Sequence, residues 1–241
     1  MEEKKKRHRR TFASIENDIM EATRLLIEEK GISNLTLRGI SKKAKIEASV
    51  FYNRYDNLYN LLEKFVERYD YWYSDIVSSF QNIKPEMYSK YFEEVFISLI
   101  TNLSQNKSMQ QILLWELEED NLITRRTNKM REDYTKEMVD TLEKFTTNNV
   151  NNVNAKVMAA MLLSSIYFMI LHKGKATFCG IDFNTDEGQN LMVETIRNIS
   201  SWIFRKNKDI LDIAQKMKSK GIDMETIVEC TGLTIDEIEE V

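Results

Sequence analysis

The run GISNLTLRGISKKAKIEASVFYNRY, residues 31–55, sets two short helical patterns on either side of a polar break. Gly31 supplies the left-handed residue that commonly ends a helix, and Thr36 offers a hydroxyl N-cap to the segment Leu37 to Ala44, whose Leu37, Ile40 and Ala44 share one face. After the break at Lys45 to Glu47 a further short helix is expected over Ala48 to Asn53. Upstream, Ile15, Ile19, Ala22, Leu25 and Leu26 keep the i, i+3/i+4 rhythm of a helix from Ser14 to Gly31. Downstream, Asp56 or Asn57 caps a helix that carries Leu58, Leu61, Leu62, Phe65, Val66 and Tyr69 toward residue 80. Short helices joined by one tight link make a helix-turn-helix.

The rest of the chain is helical by composition. Seven Gly and one Pro in 241 residues leave too few turn positions for a sheet-rich or doubly wound fold. With 42% apolar residues the chain can bury a core. Two cysteines, Cys179 and Cys230, make no disulfide framework, and no apolar leader segment opens the sequence, so a reducing, cytoplasmic setting is expected. The apolar stretch Met158 to Leu171 is shorter than the ~20 residues a membrane span needs and reads as a buried helix. Net charge is −4, yet residues 1–60 hold 13 Lys+Arg against 9 Asp+Glu while the remainder holds 21 against 29. That asymmetry fits a basic binding module on an acidic body.

A major groove admits one helix, with base-reading side chains on its N-terminal half and the preceding helix against phosphate. Glu47, Ala48, Ser49, Tyr52 and Asn53 are the candidates for the groove face. Thr36, Arg38, Lys42 and Lys43 lie on or beside the supporting helix, where positive charge and a helix N-terminus suit phosphates. Val50, Phe51 and Tyr55 read as core. The arm, residues 1–11 with KKKRHRR at 4–10, either enters an adjacent minor groove or adds a sequence-blind term.

The segments GISNLTLRGISKKA at 31–44 and SVFYNRY at 49–55, within residues 12–65, resemble the DNA-binding domain of TetR-type transcriptional regulators. The family commonly has a phosphate-contacting lysine at the start of the fourth helix; this chain has Leu58 there, with Arg54 or Asn57 near enough to replace it. The resemblance implies a DNA-binding regulator, with a repressor on a palindromic operator as the expected form. It also implies an effector that changes the separation of two DNA-reading heads.

Residues 66–205 form the expected body, an effector-binding and dimerisation domain. Helical stripes run from Met87 to Leu103, Met109 to Glu119, Thr124 to Phe145, Asn154 to Lys173 and Asp186 to Arg205, the last with Asn184 and Glu187 at capping-box spacing. The all-round apolar character of Val157 to Leu171 calls for cover on more than one side. Burial and family resemblance both predict a homodimer through residues 154–205. Trp72, Tyr88, Phe92, Trp115, Tyr134, Met138, Phe168 and His172 are the candidates for a ligand pocket, with ordinary core packing as the alternative reading. His172 also suits a helix C-terminus as a dipole-complementing residue.

Enzyme chemistry finds no support. His8 and His172 form no paired metal site, there is no Gly-rich phosphate loop, and Glu116 to Asp120 read as a solvated face; neither a metal nor a cofactor is expected. Residues 207–241 form an acidic extension of short helices over Asp209 to Lys220, Asp223 to Cys230 and Thr234 to Val241, read as a packing or partner module. The fold expected is all-α: an N-terminal helix-turn-helix DNA-binding domain, a helical ligand-binding and dimerisation domain, and a short helical tail. The competing function is a helical interaction protein whose basic head binds acidic protein or membrane surfaces.

Overall fold

The computed structural model describes residues 11–70, 87–149 and 154–239. The arm at 1–10 and Trp72 lie outside the described residues, as does the side chain of Met138. Among the described residues the regular secondary structure is all helix, joined by short links, apart from one isolated bridge between Phe178 and Ile181.

Two compact units emerge, one from residues 1–76 with 102–134, the other from 77–101 with 135–241. In the first, α1 (Phe12–Lys30), α2 (Leu37–Ala44), α3 (Ala48–Tyr52) and α4 (Leu58–Tyr69) follow the expected order. Thr11, Thr36 and Asn57 cap α1, α2 and α4, each accepting from the backbone N–H three residues on. Ile19, Ile27, Ile40, Phe51, Tyr55, Leu61 and Phe65 meet in the core, so Phe51 and Tyr55 are floor residues as the sequence suggested. The fourth helix spans Leu58–Tyr69 with Asp70 at its C-cap, and the residues toward 80 that it was expected to reach lie outside the described residues; the Asp70 side chain is held by an ion pair to Arg131.

The same unit takes in α6 (Lys107–Glu118) and the first part of α7 (Leu122–Asn149). Buried Ser108 donates to Glu28 of α1 at 2.7 Å, and Glu28 is in turn held by Arg24 at 2.9 Å. The Ile123 N–H donates to the Tyr59 hydroxyl at 3.1 Å. Polar bonds thus lock two body helices onto the small helical head.

The second unit holds most of α5 (Tyr88–Gln105), the rest of α7, α8 (Ala155–His172), α9 (Asp186–Ser219), α10 (Met224–Thr231) and α11 (Ile235–Glu239). Phe92, Phe96, Leu99 and Ile100 are buried on α5, and Ala159, Ile166, Ile170, Met192, Ile196 and Ile203 on α8 and α9. The cap of α9 is Thr185, whose hydroxyl accepts from Gly188 at 3.1 Å, rather than Asn184, whose amide is drawn to the Lys173 carbonyl.

No break separates body from tail at residues 206–208: α9 runs unbroken to Ser219 because Lys206, Asn207 and Lys208 contain no helix breaker. Its last turns pack with α10 and α11 around Ala214, Ile227, Leu233 and Ile238, a small apolar core of their own. Gly221 at φ 74° and Gly232 at φ 68° make the two turns of this tail.

Candidate nucleic-acid interface and effector cavity

The link between α2 and α3 is built on Lys45, a non-glycine residue in the left-handed region at φ 56°, ψ 50°. Its N–H donates to the Lys42 carbonyl and that of Ile46 to the Ser41 carbonyl, which closes the turn in three residues. The chain therefore re-enters a helix at once, with Phe51 and Tyr55 turned into the core and the other face outward. Ala48, Ser49, Tyr52 and Asn53 are all exposed on that outward face, beside exposed Glu47 at the N-cap.

Thr36, Arg38, Lys42 and Lys43 are exposed as well, together with Lys45, which the sequence reading did not select because the left-handed turn exposing it is invisible in a helical pattern. Helix α2 carries no acidic residue of its own, and Glu29 of α1 approaches Lys43 at 3.5 Å. Arg54 is half-buried: it donates to the Val50 carbonyl at 3.0 Å and lies 4.3 Å from the centre of the Phe12 ring. Burial pushes the Tyr55 hydroxyl up from its ordinary value, in keeping with its place in the floor.

Within the same unit, a cavity of about 150 Å³ lies between α4 and α7. Its floor is made by buried Val66, Ile123 and Thr127 with Asp70 and Arg131, and its rim by Glu63, Glu67, Arg126, Met130 and Tyr134. Arg126 on the rim lies 3.1 Å from Glu63 and 3.5 Å from Glu67. Arg131 lies 2.9 Å from Asp70 and also binds Glu116 of α6. The side chains of Arg131, Asp70 and Glu116 are only 10%, 8% and 5% exposed, so Glu116 is not part of a solvated face although Glu118 to Asp120 are.

One guanidinium shared by two buried carboxylates compensates neither fully. Burial therefore lifts the carboxyls of Asp70 and Glu116 above their usual values, against the pull of Arg131. Burial also works against the charge of Arg131, but its hydrogen bond to Glu116 and the charges of both carboxylates outweigh that and hold it protonated.

Of the residues expected to line a pocket, Tyr134 lines this cavity. Trp115 is buried in the first unit and Phe92 in the second, and Tyr88 is half-buried. Phe168 is half-exposed and stacks on His172 at 5.2 Å, with Phe178 edge-on to both. The sequence pattern missed Glu63, Glu67, Arg126 and Arg131 because charge on a helix ordinarily marks a solvated face. The legible signal was complementary charge at i, i+4 on one helix and i, i+5 on another.

No described helix is long and apolar enough to cross a membrane, and no cluster of metal-ligating residues occurs among the described residues. No curated protein sequence matches the chain. Residues 19–64 match the family described as bacterial regulatory proteins, tetR family. Solved structures of similar fold include a TetR family transcription regulator from Marinobacter aquaeolei VT8, with 17% identity, a TM-score of 0.55 and 77% and 95% of the two chains covered. The regulator FadR from Bacillus subtilis in complex with stearoyl-CoA has 12% identity and a TM-score of 0.53, over 76% of this chain and 96% of that one. AibR in complex with isovaleryl coenzyme A and operator DNA has 17% identity and a TM-score of 0.54, over 79% and 98%. Residues 19–64, which run from within α1 to within α4, thus carry the helix-turn-helix of the tetR family, and the chain as a whole shares its fold with these regulators.

Proposed function

We propose that the protein is a ligand-responsive repressor that binds a palindromic operator as a homodimer. The observation that carries this reading is the exposed polar face of α3, standing clear of a rigid apolar floor beside the basic residues of α2. Ser49, Tyr52 and Asn53 read base edges from the major groove, with Glu47 and Ala48 at the entry of the helix. Thr36, Arg38, Lys42 and Lys43 hold phosphates, and Arg54 steadies the end of α3 beside them. Residues 12–65 act as the reading domain, 66–205 as the effector and dimer domain, and 207–241 as an added acidic module.

The dimer reading is supported by one face of α8. Val157, Met161 and Phe168 fall on it by helical spacing and are 55%, 67% and 50% exposed, and Trp202 of α9 is 66% exposed. Packing against the same pair from a second copy removes this surface from water. The effector reading is supported by the cavity on α4, the last helix of the reading domain: occupancy there bears directly on the element that carries α3's floor.

Selection of random duplex DNA by the purified protein at near-physiological salt tests the proposal. The expected result is an enriched two-fold-symmetric site bound roughly 10³-fold or more tightly than random DNA. Lys43→Ala should weaken every duplex and lower the salt slope by about one, whereas Asn53→Ala should change which sequence is selected. Binding that is sequence-blind and fades steeply with salt would favour a basic head that attaches to any acidic surface.

A further inference from the structure

The cavity between α4 and α7 has a charge balance that narrows what can enter it. Both guanidiniums on its wall are already committed: Arg126 to Glu63 and Glu67, Arg131 to Asp70 and Glu116. Four carboxylates against two guanidiniums leave the site with negative charge in excess. Oε1 of Glu116, behind Arg131, is buried with no hydrogen-bond partner. The Thr127 hydroxyl donates to the Ile123 carbonyl at 2.7 Å, so its proton is not offered to a ligand.

An entering anion would have to displace Asp70 or Glu116 from buried Arg131, where water cannot compensate, or compete with Glu63 and Glu67 for exposed Arg126. An entering cation finds carboxylates already lacking a full complement of positive charge, and Tyr134 on the rim supplies an aromatic ring beside it. The volume, about 150 Å³, matches that of an engineered ~150 Å³ cavity that takes up benzene. The apolar floor of Val66 and Ile123 suits a body of that size.

We propose that this cavity binds a small organic cation, an ammonium group carried on an apolar body about the size of one aromatic ring. The proposal rests on the reading of the protein as effector-responsive and assigns the chemical class of its effector.

Calorimetric titration of the full-length protein at pH 7 with benzylammonium, benzyl alcohol and benzoate tests it, because the three share a ring and differ in head charge. Benzylammonium should bind at least ~10-fold more tightly than benzoate, with the alcohol between them. Glu67→Gln, on the exposed rim, should narrow that gap severalfold. Met130→Trp, which fills the cavity, should abolish ammonium binding in a protein that still unfolds cooperatively on heating.

Benzoate binding as tightly as benzylammonium, no binding of the cation, or cation binding unchanged in both variants overturns the proposal. The titrations contain no DNA, so any of those results leaves operator selection standing on its own test. Benzylammonium that binds as described without altering DNA affinity upholds the ligand class and removes the effector role.

Discussion

At Glu116 a carboxyl that looks solvent-facing in sequence is almost wholly enclosed and shares Arg131 with Asp70. Its folded-state pKa lies above the ordinary 4.5 because burial outweighs the attraction of half a guanidinium. A raised carboxyl binds its proton more tightly folded than unfolded, so its contribution favours the fold at acid pH and is lost as pH rises through the folded value. Glu116→Gln should therefore gain in stability relative to the wild type as pH rises above the ordinary carboxyl value of 4.5. Melting temperatures of both proteins at each pH check this, and a shift the other way would mean that Arg131 depresses Glu116. Lys45 stores a different strain: Lys45→Gly should stabilise the first unit by about 0.5–1 kcal/mol, measured by urea unfolding, because the left-handed conformation costs a side-chain-bearing residue more than glycine.

At the scale of elements, short helices are held by their caps and by close approaches as much as by apolar faces. Helix α3 has five residues and no side-chain cap, so the floor contacts of Phe51 and Tyr55 hold it rather than its own propensity. The start of α9 is tighter still. A Cβ on Gly188 would lie 2.2 Å from the carbonyl oxygen of Asp182, an atom of the backbone that leads into the cap. Gly188→Ala should cost about 1–3 kcal/mol and lower the melting temperature, with the loss confined to the second unit by hydrogen exchange. The sequence placed this helix start at about Asp186, where the structure has it, but assigned its cap to Asn184. A hydroxyl and an amide at neighbouring positions are equivalent in pattern, and only the turn geometry gave the capping role to Thr185.

Over the whole molecule, the apolar surface exposed on α8 and α9 is the surface that the proposed dimer would bury. Met161→Glu places a charge at the middle of that face and, in the proposed dimer, opposite another apolar surface. The variant should sediment as a monomer at micromolar concentration where the wild type is dimeric, and its DNA affinity should fall with it. A wild type that is itself monomeric at that concentration would remove the dimer from the proposal. The tail depends on the same helix, since α9 extends beyond the body to carry Ala214 into the small core of α10 and α11.

The helix-turn-helix, its floor and the exposed outer face of α3 were legible in residues 31–55, because Gly31, Thr36 and the spacing of Ile40, Phe51 and Tyr55 are local signals acting over one or two turns. The order of the remaining helices was legible for the same reason. The cavity was not: its walls come from residues 63–70 and 123–134, and its chemistry depends on which carboxylate reaches which arginine. A solvated ion and a buried one share the same letters, so burial of Glu116, exposure of Met161 and the continuity of α9 were decided by tertiary packing, which sets the solvation of each group.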